Sequence, residues 1–264
     1  LLQTIRGTHS YILRECAKQG SMQAALHYTN DIQEFSKKIR AKSKSGIHGN
    51  KEKAKFSEIL TDEDDIFKNL RTITNTQASK SNVGMQPNDW MSVIQAASKS
   101  GHWRVCFNTL QFLRPYVERT NPMNEESTNT KSSDERYNQL TYALYAVTRV
   151  LESHSQDAWA VRAIEDWIDW SGRQPRVESV LSVIRVLARK GRVEEIRNLM
   201  DRCLSRDLTS SVTKNSNLSY EEMLYVGAVT ALHNSGQYDD ADEFFMSGIQ
   251  DKFLPFNFFR ENGQ

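Results

Sequence analysis

A single frame recurs four times along this chain and leaves few folds open to it. The segments ILRECAKQGSMQAAL (12–26), VIQAASKSGHWRVCF (93–107), VIRVLARKGRVEEIR (183–197) and AVTALHNSGQYDDAD (228–242) share one layout: an apolar pair, a helical run, a short polar tail, a glycine, then a second amphipathic run. The glycines are Gly20, Gly101, Gly191 and Gly236. A glycine that closes a run of this kind is a helix C-terminal cap, because it takes a left-handed φ at little cost. Five residues later stand Ala25, Cys106, Ile196 and Ala241, mostly compact, as two closely packed helices require. The 142–170 stretch supplies a fifth unit in which Ser155 occupies the glycine position and Ala160 the compact one.

Apolar residues elsewhere keep the same period. Val180, Leu181, Val183, Ile184, Leu187 and Ala188 form one helical stripe, and Leu140, Ala143, Leu144, Val147, Val150 and Leu151 another. No stretch alternates with period two, and 12 Gly with 5 Pro argue against a turn-rich β fold. The expected fold is all-α: an α-solenoid of stacked antiparallel helix pairs, each burying its face on its neighbours.

Three polar stretches interrupt the pattern. Residues 37–84 open with a basic arm (Lys37, Lys38, Arg40, Lys42, Lys44, Lys51, Lys53 and Lys55) followed by the acids Asp62, Glu63, Asp64 and Asp65. The others are 121–135 and 206–218. Their composition buries too little apolar surface to order alone, so they are expected to be loops, with one short helix in the first. The expected divisions are a weak N-terminal helical hairpin at 1–36, the insert at 37–84, a repeat at 85–120, a linker at 121–135, a degenerate repeat at 136–174, a repeat at 175–205, a linker at 206–218, and a last repeat with the C-terminal end at 219–264.

Chemistry is sparse. Cys16, Cys106 and Cys203 are too scattered for a disulfide framework or a metal knuckle. The six histidines form no ligand pair with a third partner, and the acids at 62–65 suit a helix N-terminus better than a cation. No phosphate-binding glycine loop or nucleophile elbow is present, so no enzyme activity, cofactor or metal is expected. No apolar run approaches the length of a membrane span. Lys+Arg 34 against Asp+Glu 33 excludes a uniformly basic surface. The chain opens at Leu1, which reads as a mature or trimmed piece.

The segments 175–200 and 220–255 resemble the pentatricopeptide repeat in their apolar pair, their glycine, and a proline (Pro175, Pro255) at the unit boundary. The resemblance runs through about 140–256, is fair for 85–118 and weak for 1–35. Tetratricopeptide repeats compete, but their Trp, Gly and Tyr signature is absent. The resemblance implies an organellar protein, mitochondrial or plastid, in which the first helix of each unit reads single-stranded RNA, one base per repeat.

The reading positions, nine before each glycine, fall on Tyr11, Ser92, Ala146, Ser182 and Gly227. Only Ser92 and Ser182 are of the favoured kind. Lys18, Lys99 and Arg189, two before their glycines, with Lys190 and Arg185 nearby, are candidates for phosphate contact. The competing role for such cations is to complement a helix C-terminus. The basic arm is a second candidate for nucleic acid or an acidic partner. The expectation is weak or non-specific RNA binding in organellar RNA metabolism. The alternative is a non-catalytic scaffold whose helices hold protein partners in a large assembly. The near-neutral charge and the Phe-rich end (Phe244, Phe245, Phe253, Phe256, Phe258, Phe259) favour that alternative.

Overall fold

The structure, a computed structural model, describes residues 2–32, 85–124, 130–205, 208 and 218–251. The basic arm, the acids at 62–65, most of the 206–218 linker and Phe253, Phe256, Phe258 and Phe259 lie outside these residues, whereas Phe244 of the Phe-rich end is buried. All regular elements described are helical. The chain divides into two compact units, Leu1–Pro115 and Tyr116–Gln264, so the division falls inside the 85–120 segment.

In the first unit, α1 (Leu2–Gln19) is followed by α2 (22–32), α3 (Pro87–Lys99) and α4 (Trp103–Leu110). Pro87 starts α3 because its fixed φ suits a first turn whose N–H has no partner, and Asp89 caps the Gln86 N–H at 2.9 Å. α1 packs on α3, and α3 on α4. The shared core holds Leu13, Ala17, Val93, Ile94, Ala97 and Leu110, with Trp90 stacked on Phe112 at 4.6 Å between ring centres.

The second unit contains α5 (Thr130–Ser153), α6 (Asp157–Ser171), α7 (Val177–Arg189), α8 (Val193–Cys203), α9 (Tyr220–Asn234) and α10 (Tyr238–Gln250). α5, α7 and α9 lie side by side, α7 between the other two. α6 packs on α5, α8 on α7, and α10 on α9. Leu144, Leu151, Ala163, Ile164, Trp167, Val183, Ile184, Leu187 and Leu224 fill the core. Ser219 and Glu222 close α9 with a reciprocal capping box. α7 and α9 approach closely, since a Cβ on Gly227 would lie 2.1 Å from Leu181 Cδ2.

The five turns of the repeated frame are closed alike. Gly20, Gly101, Gly191 and Gly236 have φ of 69°, 74°, 69° and 78°, and Ser155, at 53°, is the one non-glycine with positive φ among the described residues. After each, the next N–H bonds back five residues: Ser21 to Cys16, His102 to Ala97, Gln156 to Leu151, Arg192 to Leu187 and Gln237 to Leu232. This is the Schellman closure, which satisfies a carbonyl the helix leaves orphaned. The five compact residues, Ala25, Cys106, Ala160, Ile196 and Ala241, are all buried.

One expected loop is shorter than predicted. The polar 121–135 stretch is helical from Thr130 onward, because the guanidinium of Arg173, itself buried, takes Ser133 and Asp134 as partners. Arg173 Nε also donates to the Thr120 carbonyl at 2.8 Å, and the guanidinium lies 5.2 Å from the Tyr137 ring centre.

Candidate functional site

The described cations among those singled out from sequence sit at or within a turn of helix C-termini and meet carbonyls or carboxylates there. In the first unit, Lys99 Nζ donates to the Lys18 carbonyl at 2.9 Å, so a cation of α3 caps the negative end of α1. Lys18 pairs with Glu15 at 2.7 Å. In the second unit, Arg185 binds Glu152 through two bonds, Nε at 2.7 Å and Nη2 at 2.9 Å. Arg189 Nη2 donates to the Glu152 carbonyl at 3.3 Å. Lys190 and Arg192 both clasp Asp157, Lys190 at 2.6 Å. Burial alone would raise the Asp157 carboxyl, but its bonds to Lys190 and Arg192 hold it at about 2. Successive turns are therefore laced together by the residues that a phosphate track would need.

The two hydroxyls expected to test base edges face inward. Ser92 Oγ donates to the Asn88 carbonyl at 2.9 Å. Ser182 Oγ donates to the Glu178 carbonyl at 3.0 Å and accepts from Arg185, and the residue is 0% exposed. Both bond one turn back along their own helix, the habit of a serine inside a helix. Neither hydroxyl is offered to solvent in this arrangement.

What α5 and α7 do present is a set of arginines and tyrosines. Tyr142, Tyr145, Arg149 and Glu152 recur at three and four along α5 and so share one face. Arg176, Glu178, Ser182, Arg185 and Arg189 come from α7 and the residue before it. The Arg176 guanidinium sits 4.4 Å from the Tyr142 ring centre while bonding Glu178 at 2.8 Å. Arg149 lies 5.9 Å from the Tyr145 ring centre, with Nη1 3.4 Å from its hydroxyl. Glu152 is drawn below the usual carboxylate range by Arg185 although burial opposes this. Arg149, Tyr142, Tyr145 and Glu152 were not singled out by the sequence analysis. Their signal was there, as a polar and aromatic row opposite the apolar stripe of α5.

The remaining chemistry is structural. Cys106 and Cys203 are buried and free, and burial pushes both thiols up to about 12, which leaves them unreactive at neutral pH. Trp167 and Trp170 are core residues, Trp167 donating to the Tyr137 hydroxyl at 3.2 Å, while Trp159 on the same helix is partly exposed. Among the described residues no three His, Cys, Asp or Glu side chains group as metal ligands. No described helix is long and apolar enough to cross a membrane. Comparison with models of protein families, with curated proteins and with solved structures finds no match to this chain.

Proposed function

We propose that the chain is a non-catalytic helical-repeat scaffold, an α-solenoid of pentatricopeptide-like helix pairs that holds protein partners within a larger assembly. By the same resemblance that assembly is organellar. The array is supported by the shared Schellman closure of the five turns and by the side-by-side packing of α5, α7 and α9. The observation that carries the scaffold reading is the use of the turn cations. Lys99, Arg185, Arg189 and Lys190 tie neighbouring helices to one another, and Ser92 and Ser182 are committed to their own helices. A solenoid that reads bases would present both serine hydroxyls to solvent.

A second reading, non-specific binding of single-stranded RNA, has one observation in its favour: arginines and tyrosines interleave on the α5–α7 face. One experiment separates the two. Affinity for a mixed-sequence single-stranded RNA is measured between 50 and 200 mM salt, alongside sedimentation of the native chain in cell extract before and after ribonuclease. The scaffold reading expects binding no tighter than about 100 µM at the lower salt and a fast-sedimenting complex that survives ribonuclease. Micromolar affinity falling steeply with salt, together with collapse of the complex, overturns it in favour of RNA.

A further inference from the structure

Resting on the scaffold reading, we propose that the α5–α7 face of the second unit docks an acidic peptide segment of a protein partner. Arg149, Arg185 and Arg189 receive its carboxylates, and Tyr142 and Tyr145 form the bed beside them. Charge is the first ground. The face carries four guanidiniums (Arg149, Arg176, Arg185 and Arg189) against two carboxylates, Glu152 and Glu178, which leaves an excess of positive charge. Around Glu152 the excess is turned outward, while at the other ion pair of the face Glu178 is more exposed than Arg176. The Glu152 side chain is 16% exposed, whereas those of Arg185 and Arg189 above it are 41% and 52% exposed. A shielded carboxylate beneath exposed guanidiniums is an anchor: it fixes the arginines and leaves their outer edges to a ligand.

Among the described residues those edges meet no partner. Arg185 uses Nε and Nη2 on Glu152 and Ser182 and keeps Nη1. Arg189 uses Nε and Nη2 on the Arg185 carbonyl and on Glu152, and also keeps Nη1. Among the described residues Arg149 forms no ion pair, and its guanidinium lies against Tyr145. Guanidiniums held by one edge meet a carboxylate with little further loss of side-chain freedom, which is where charge-assisted bonds gain most. Tyr142 is 54% exposed beside them. Tyrosine and arginine are the residues that most often dominate the energy of a protein interface.

Carboxylates fit this face better than a nucleic acid does. A base stacks on a ring face, and Arg176 and Arg149 already lie over Tyr142 and Tyr145. The hydroxyl that would test a base edge, Ser182, is buried beneath Arg185.

The test is anisotropy of fluorescein-labelled octaglutamate titrated with the full chain at 50 and 150 mM salt. A mixed-sequence single-stranded octanucleotide is titrated in parallel. Octaglutamate is expected to bind, more weakly at the higher salt. Arg149→Ala removes an exposed side chain with no ion pair, so the fold is retained. Losing a hydrogen bond to a charged group is expected to weaken octaglutamate roughly ten-fold or more. Arg104→Ala, which removes an equal charge from the exposed face of α4, should change the affinity less than about two-fold. Failure of octaglutamate to bind, or binding indifferent to Arg149→Ala, overturns the proposal and leaves the scaffold reading standing. Tighter binding of the octanucleotide that is lost in Arg149→Ala overturns both.

Discussion

The left-handed residue at position 155 offers the sharpest test of how these turns are built. Ser155 adopts φ 53° in a place where the other four turns use glycine. Its side chain is exposed and its backbone N–H bonds the Glu152 carbonyl. An L-residue in this region costs roughly 1–2 kcal/mol through the clash of its Cβ with the following carbonyl. Glycine removes that cost but brings about 0.5–1 kcal/mol of extra freedom to the unfolded chain. Ser155→Gly should therefore stabilise the protein by about 0.5–1 kcal/mol.

Gly236→Ala is the matched control, because a Cβ there meets nothing within 4 Å and only the backbone term acts. It should destabilise by a similar amount. Gly20→Ala should cost more, since its Cβ would lie 3.1 Å from Lys99 Cβ. Urea unfolding followed by circular dichroism reads all three, and a change of about 1 kcal/mol moves the melting temperature of a chain this size by ~2–4 °C. If Ser155→Gly is neutral or destabilising while Gly236→Ala costs stability, the turn at 155 is not the left-handed closure described here.

Two further outcomes follow from the charges of the second unit. Arg173→Ala strips the Thr120 carbonyl, Ser133 and Asp134 of a buried donor, and is expected to lower unfolding stability by about 2–4 kcal/mol. Asp134→Asn, at the exposed end of the same contact, should cost under about 1 kcal/mol. Asp157, held at about 2, stabilises the fold fully above the unfolded aspartate value near 4. That contribution is lost as pH falls from about 4 to about 2. Asp157→Asn should accordingly be less stable than the parent at pH 7 and equal to it near pH 2. A difference in urea midpoint that persists unchanged at pH 2 refutes the ion-pair origin.

How far the fold can be read from residue order depends on the range of the forces involved. Helix caps are local: a glycine, or a serine standing in for one, closes a helix through contacts within six residues. The frame at Gly20, Gly101, Ser155, Gly191 and Gly236 was therefore legible, and so were the compact residues five positions on. The apolar stripes were legible for the same reason, since period alone assigns a helix face. The start of α5 was not, because Ser133 and Asp134 look like linker residues until Arg173, some forty positions away, supplies their partner.

The roles of the charges were the least legible of all. Lys99 and Arg189 keep the spacing of a phosphate column, but residue order does not say which carbonyl lies 2.9 Å from the one and 3.3 Å from the other. Glu152 is an unremarkable helical acid in sequence. Only the packing of α7 on α5 brings Arg185 and Arg189 over it, and only there does the Arg149–Tyr145 pair become part of one charged face. Periodicity and caps determined the helices and the five matched turns between them. The tertiary structure decided which polar groups hold those turns together and which remain outward, because electrostatic contacts act through space between residues that the order of the chain keeps apart.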